Sequence, residues 1–298
     1  MKWIIDCEKV DAKEVVEDIL CQLGQSDEIL KVSILNWNYD LKRNKDKELL
    51  KEKIKYLSDL NPDILVIQEC TYHECIYFKN YYKYVNWYGD GKDGIYGVSV
   101  LSNKFKSRIV SYSFYEQKFR YVVPYEININ GIPILLLVVW TKDYLRTKNI
   151  FNSENKDDDV HNLGYTDNII EAIDFYNDLL IKYSDVIIVG DFNSFDKKPN
   201  RKEYQINIEN KLKQFDIHNC TLFPRYVPLD GQNFETEITY YHRYKQDKAA
   251  TNDYCFLKKS SNTNFIRFGI GHPDKWIKYS DHFPLWIDLG VKKPNFTL

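Results

Sequence analysis

The sequence predicts a mixed-sheet α/β or α+β domain, and three observations carry that reading. Segments with helical spacing feed short, continuously apolar strands, the pattern of strands buried on both faces. Between about residues 94 and 140 strand follows strand, with Asn130-Gly131 as a hairpin turn signal. No repeat period or low-complexity linker divides the 298 residues, a length that suits one large domain or two small ones. Two sheets stacked face to face with helices outside use this inventory well. Periodicity alone leaves a doubly wound single sheet open.

The elements follow in order. Residues 11–23 read as a helix, with Ala12, Val15, Val16, Ile19, Leu20 and Leu23 on one face, Asp11 and Glu14 as a capping-box-like start and Gly24 as the stop. "KVSILNWN" reads as a strand, and "KDKELLKEKIKYLSDL" returns to helical spacing through Leu50, Ile54, Leu57 and Leu60. "DILVIQE" is a buried strand, followed by the strands "IYGVSVLS", "RIVSYSFY", "YVVPYEINI" and "IPILLLVVW". Polar residues 143–164, with Asp157-Asp158-Asp159, read as a surface loop. A helix over 167–183 stacks Ile169, Ile173, Tyr176, Leu180 and Tyr183, with Thr166 as N-cap, and feeds "DVIIVGDFNS". The last third predicts a helix near 203–216 and strands near 237–242, 253–258 and 284–289.

Composition narrows the function. With 28% charged and 44% hydrophobic residues and a net charge of −2, the chain is an ordinary globular protein without a broadly basic surface. Any nucleic-acid contact must therefore use a local basic patch or metal ions. The amino terminus "MKWIIDCEKVDAKE" meets acids too early for a signal peptide, and the longest apolar run, Ile132 to Trp140, is too short for a membrane helix. Cys7, Cys21, Cys70, Cys75, Cys220 and Cys255 show no CxxC pair and read as reduced, mostly buried thiols of a cytoplasmic protein.

The informative pattern is where polar residues stand. Five apolar strands end on, begin with or directly follow acids, amides or a histidine: Asn38, Glu69, Asp191 with Asn193, Asp253, and Asp281-His282. Asp191 and Asn193, two apart in an extended segment, share a face. Gathered carboxylates repel unless a cation joins them, and magnesium suits a sparse shell of oxygen ligands such as Glu69 and Asn38. Asp191 can then deprotonate or orient an attacking water, with Asn193 fixing the geometry. His282 beside Asp253 forms an oriented imidazole able to stabilise developing charge on a phosphoryl group. A lone strand-end acid is more often a turn or cap; five in one chain point to a metal site.

"NWN", "IQE", "GDFNS", "NDY" and "SDHFPL" occur in the order and roughly the spacing of the endonuclease/exonuclease/phosphatase superfamily, which this chain resembles over about residues 31 to 290. The resemblance implies a four-layer αββα sandwich of two stacked mixed sheets and hydrolysis of phosphoesters with Mg²⁺ or Mn²⁺. It implies Glu69 and Asn38 at the metal, Asp281 as an accessory metal or positioning acid, Asp191 and Asn193 at the water nucleophile, and Asp253 orienting the catalytic His282. Residues 1–30 become an N-terminal helical extension of a domain spanning 31–298. One departure stands out. Where many members carry a strand-end histidine, this chain has Trp140, Thr141 and Lys142, similar to a bacterial branch with "VW" there and "TYYH" (Thr239 to His242) before the "DY" strand. His242, Lys142 or bound water then protonates the leaving group.

The substrate is the more open question. Trp140, Tyr241 and Arg243 are candidates for stacking on a base while contacting phosphate, and "KDYLRTK" (142–148) for tracking a phosphate backbone. These features lean to a nuclease acting on DNA or RNA. The alternatives are a phosphoesterase of small-molecule or lipid phosphates, or an effector module that binds without turnover and docks a protein partner through the N-terminal helix.

Overall fold

A computed structural model of the chain describes residues 29–40, 46–89, 97–110, 122–141, 165–193, 199–220, 238–260 and 262–293, with backbone only for 165–168 and 199–204. The helix over 11–23, residues 1–28 of the extension, most of the strand "RIVSYSFY", the loop 143–164, Lys142 and the Thr166 side chain lie outside what is described. Ile29 and Leu30 belong to the first strand, and the Thr166 backbone lies within a helix that begins at Tyr165.

Two six-stranded mixed sheets stack face to face. In chain order the elements are β1 (Ile29–Asn38), α1 (Lys47–Leu60), β2 (Ile64–Cys70), α2 (Tyr72–Phe78), β3 (Tyr84–Gly89), β4 (Gly97–Ser102), β5 (Ser107–Ile109), β6 (Val122–Ile129) and β7 (Ile132–Trp140). They continue with α3 (Tyr165–Phe175), α4 (Asn177–Lys182), β8 (Asp185–Asp191), α5 (Pro199–Lys213), β9 (Ile217–Asn219), β10 (Tyr240–Tyr241) and β11 (Ala249–Ala250). The last are β12 (Asp253–Lys258), β13 (Thr263–Ile270), α6 (Pro273–Trp276) and β14 (Leu285–Lys292). One sheet runs β13-β14-β1-β2-β4-β3, the other β5-β6-β7-β8-β12-β9, and β10 and β11 form a small separate pair.

Period-two alternation assigns the layers. On β7, Ile134, Leu136, Val138 and Trp140 enter the inter-sheet core with residues of β1, β2 and β4. The intervening Leu135, Leu137 and Val139 face outward onto Ile169, Ala172, Leu180, Ile208 and Leu212 of α3, α4 and α5. This burial on both faces is why the strand reads as a continuous apolar run. Each such side chain contributes about 1.5–3 kcal/mol on burial. On the other sheet, α1 buries Ile54 and Leu57, and α2 buries Cys75 and Phe78. The helix–sheet–sheet–helix layering agrees with the sandwich the sequence predicts.

Several boundaries are corrected. The helix over 167–183 is broken at Tyr176, whose hydroxyl donates to the Val122 carbonyl at 2.9 Å. The helix near 203–216 runs from Pro199 to Lys213. Of the strand near 237–242, only Tyr240–Tyr241 pairs as a strand among the described residues; a 3-10 turn begins at His242, and Thr239 accepts the Asn252 and Asp253 amides on its hydroxyl oxygen. The sequence pattern predicts none of α2, β3, β9, β11, β13 and α6. Among the described residues Cys70, Cys75, Cys220 and Cys255 are buried free thiols, and no helix is long and apolar enough to cross a membrane.

Candidate active site

Sheet register brings the strand-end polar residues together. β1 and β2 run parallel with Asn38 opposite Gln68, so Glu69 follows one step beyond. In the other sheet β8 lies between β7 and β12, with Trp140 on one side of Asp191 and Asp253 directly opposite on the other. Gly190 makes this possible. Its φ is 148°, and a Cβ there would lie 1.8 Å from the Val139 carbonyl oxygen. His282 arrives from the segment between α6 and β14 through a bridge to Tyr240.

Hydrogen bonds and one longer ion pair link these groups. His282 Nδ1 lies 2.9 Å from Asp253 Oδ2, and its Nε2 lies 3.9 Å from Asp191 Oδ2. Asn193 donates its backbone N–H to Asp191 Oδ1 at 2.9 Å, and its amide to Asp191 Oδ2 at 2.8 Å and to the Thr141 carbonyl at 2.9 Å. From the opposite sheet, Asn38 Nδ2 donates to Asp191 Oδ2 at 3.0 Å and, at a longer 3.4 Å, to Glu69 Oε1. The Asn38 oxygen accepts the Asp40 N–H at 3.2 Å, so the amide nitrogen is the end that faces the carboxylates.

Opposed carboxylates repel, and the electrostatics show how the site resists this. Burial pushes Asp191 up to about 7, with the charges of Asp253 and Glu69 adding to the rise, while His282 and the Asn193 N–H oppose it. Burial on its own would lower His282, but the Asp253 and Asp191 carboxylates override it and carry the imidazole to about 10. His282 is therefore an imidazolium at neutral pH. Asp191, Asp253 and His282 offer ligand atoms within 4.8 Å of one another, and the charge on the imidazole offsets those of the two carboxylates beside it.

A second acidic group lies on the Glu69 side. Burial pushes Asp281 up to about 6, and the charges of Asp40 and Glu69 raise it while His282 opposes. This mutual repulsion among oxygen donors is what a hard divalent cation relieves, so the donor set of Glu69 and Asp281 fits one. Asp40, Glu69 and Asn193 have φ of 48°, 57° and 49°. For Glu69, which occupies a bulge between Gln68 and Cys70, the left-handed backbone costs about 1–3 kcal/mol. Asp and Asn adopt this region readily, so the cost falls mainly on Glu69.

The remaining candidates divide. Thr141 is buried and contributes its carbonyl to Asn193. Trp140 is 2% exposed in the inter-sheet core and Tyr241 packs edge-on against Phe283 at 4.9 Å, so neither presents a stacking face; strand alternation turned both inward. Arg243 is exposed with φ 53°. His242 Nδ1 lies 2.8 Å from the Tyr240 hydroxyl, and the Tyr240 ring packs on His282 with centroids 4.4 Å apart.

Supporting residues escaped the sequence reading. Ser280 donates its hydroxyl to the Asn38 carbonyl at 2.8 Å and accepts the His282 N–H at 3.0 Å, and Trp37 donates to the His282 carbonyl at 2.9 Å. The Tyr244 hydroxyl donates to Asp40. Lys53, fully buried, donates to the Tyr39 carbonyl at 2.6 Å and sits 4.1 Å from that ring's centroid, bracing the backbone between Asn38 and Asp40. A lysine on the apolar face of a predicted helix, beside Ile54 and Leu57, was the available signal.

A family model described as the Endonuclease/Exonuclease/phosphatase family matches residues 35–282. Among solved structures, TDP2 from C. elegans aligns with a TM-score of 0.57 at 15% identity, covering 94% of this chain and 82% of that one. D. rerio TDP2 complexed with single strand DNA product gives 0.55 at 14% identity, over 87% of this chain and 98% of that one. An endonuclease/exonuclease/phosphatase family protein from Bacteroides thetaiotaomicron gives 0.56 at 13%, over 89% and 99%. At such identities the likeness is one of fold. No curated protein matches the chain in sequence.

Proposed function

The chain belongs to the endonuclease/exonuclease/phosphatase family, and we propose that it is a divalent-metal-dependent phosphodiesterase that hydrolyses nucleic acid by in-line attack of an activated water. The family in general hydrolyses phosphoester bonds, typically with divalent metals. One observation carries the reading for this chain: Asn38 joins Glu69 of one sheet to Asp191 of the other, so an acidic side suited to a cation and a carboxylate–imidazolium side adjoin.

Glu69 and Asp281 would hold the cation, with Asn38 beside them. When bound, Mg²⁺ or Mn²⁺ polarises a phosphoryl oxygen and steadies the leaving oxygen. The chain's own groups supply the rest. Asp191, as carboxylate, orients the attacking water and takes its proton, while Asn193 fixes the carboxylate by two donated hydrogen bonds. His282, charged and held by Asp253, donates from Nε2 to the phosphoryl oxygens, where charge grows in the transition state. The Tyr240–His242 pair, adjoining His282, supplies the leaving-group proton in place of the usual strand-end histidine. Nucleic acid is the favoured substrate because the fold neighbour D. rerio TDP2 was solved with single strand DNA product.

The test is a substrate panel: purified protein with Mg²⁺ or Mn²⁺ against single- and double-stranded DNA, RNA, phosphoinositides and bis(4-nitrophenyl) phosphate. Cleavage of nucleic acid, abolished by EDTA, is expected. Phosphate release from a lipid with every nucleic acid untouched would replace this reading with a lipid phosphoesterase. Binding without hydrolysis of any substrate would replace it with an effector module.

A further inference from the structure

The helix after Glu69 has an unusual outer face. α2 buries Glu74, Cys75 and Phe78, and its other side exposes Tyr72, Ile76 and Tyr77, with Tyr81 just beyond. These four are between 43% and 51% exposed, and they are four of the six large hydrophobics that stand exposed among the described residues. Aromatics with open faces on a globular surface mark a contact surface more often than chance.

This face is continuous with the site. Trp87 on the edge strand β3 donates its indole N–H to the carbonyl of Cys70, the residue after Glu69, at 3.0 Å. Tyr72 packs edge-on to Trp87 at 5.6 Å. Register agrees: Cys70 lies opposite Gly97 of β4, and Gly97 opposite Gly89 of β3, so the Trp87 end of β3 is the catalytic end of the sheet. From Tyr72 the helix leads away from Glu69 for about 10 Å at 1.5 Å per residue.

Charge selects the occupant. From Tyr72 to Gly89 the acids number one, Glu74, and it is buried in a capping box with Thr71. Lys79 and Lys83 are exposed on the same segment, and Lys83 Nζ lies 5.1 Å from the Tyr84 ring centroid. Flat aromatic faces interleaved with ammonium groups, on a chain that is otherwise net negative, suit a polyanion with stackable rings. A lipid surface suits it less, since Ile76 is the one aliphatic side chain exposed there.

We propose that the outer face of α2 and the adjoining edge of β3 form a track for single-stranded nucleic acid, with unpaired bases on Tyr72, Tyr77 and Tyr81 and phosphates at Lys79 and Lys83. The track delivers the strand to the Glu69 end of the sheet. Duplex, whose bases are already stacked on one another, cannot use it. The inference rests on the nuclease reading above and adds which form of nucleic acid the site takes.

Fluorescence anisotropy in EDTA, with a labelled oligothymidine and a labelled duplex, tests it on the full chain. The triple variant Y72A/Y77A/Y81A should bind oligothymidine about tenfold or more weakly while duplex binding changes little, since each stacked base contributes measurably to affinity. Lys79→Gln with Lys83→Gln should lower the salt dependence of single-strand binding. Because these side chains are about half exposed, each variant should still melt cooperatively, within about 10 °C of the parent. Oligothymidine affinity within about twofold of the parent in the triple variant would overturn the track. So would a loss confined to phosphatidylserine vesicles. Hydrolysis of bis(4-nitrophenyl) phosphate by the parent distinguishes the two failures: hydrolysis with no stacking effect rejects the track alone, and absence of hydrolysis rejects the underlying reading.

Discussion

Asn38 of one sheet donates its amide to Asp191 of the other at 3.0 Å, and this bond spans the seam of the sandwich. Each residue is the last of its strand. The bond places a neutral donor between two carboxylates, Glu69 and Asp191, that would otherwise face each other. Replacing Asn38 by Ala removes that donor and leaves buried Asp191 short of one partner, at a cost of about 1–3 kcal/mol. The variant should melt lower and hydrolyse phosphodiester about a hundredfold more slowly. Steady-state kinetics with a thermal melt checks both.

The Asp253–His282 pair makes stability depend on pH. The folded imidazole, at about 10, lies above its ordinary 6.5, so the pair stabilises fully below pH 6.5. That contribution is lost as pH rises through 10. Asp253→Asn removes the largest of the charges that raise His282. Melting temperatures between pH 6 and 10 should fall steeply for the parent and more gently for the variant. Equal slopes would mean that His282 is not held charged by Asp253.

Gly190 is the backbone condition for the site. Alanine at φ 148°, with its Cβ 1.8 Å from the Val139 oxygen, forces β8 off β7. Gly190→Ala should cost about 3 kcal/mol or more, the strain and overpacking together. Chemical denaturation measures it, and a loss under about 1 kcal/mol would show that the strand can relax.

His242→Gln addresses the leaving-group proton. An alkoxide from nucleic acid needs that proton, whereas 4-nitrophenolate leaves without it. The variant should lose about a hundredfold on an oligonucleotide and much less on bis(4-nitrophenyl) phosphate. Equal losses on both would reject the Tyr240–His242 pair as the acid.

Much of this was legible in the sequence because the buried strands announce themselves. "DILVIQE" and "VIIVGD" are apolar on both faces and end on acids, so their ends and the strand-end residues could be read without tertiary knowledge. The missed elements lacked such a signature. Seven-residue α2 is too short for periodicity to register, and its exposed aromatics make both faces look apolar. β13 carries a register shift between Phe265 and Arg267 that breaks the alternation. Asp40, Ser280 and Tyr240 reach the site through partners distant in sequence, such as Tyr244 for Asp40 and Asn38 for Ser280, and no local pattern encodes these. Trp140 and Tyr241 were drawn to the site by sequence proximity, and strand alternation turned them into the core.

Asp191→Asn tests the central claim most directly, because it keeps the shape of the side chain and removes the carboxylate proposed to handle water. Hydrolysis of bis(4-nitrophenyl) phosphate with Mg²⁺ or Mn²⁺ should fall by about a thousandfold or more in a variant that still melts cooperatively. Retention of activity within about tenfold of the parent would contradict the assignment of Asp191 as the water-handling residue.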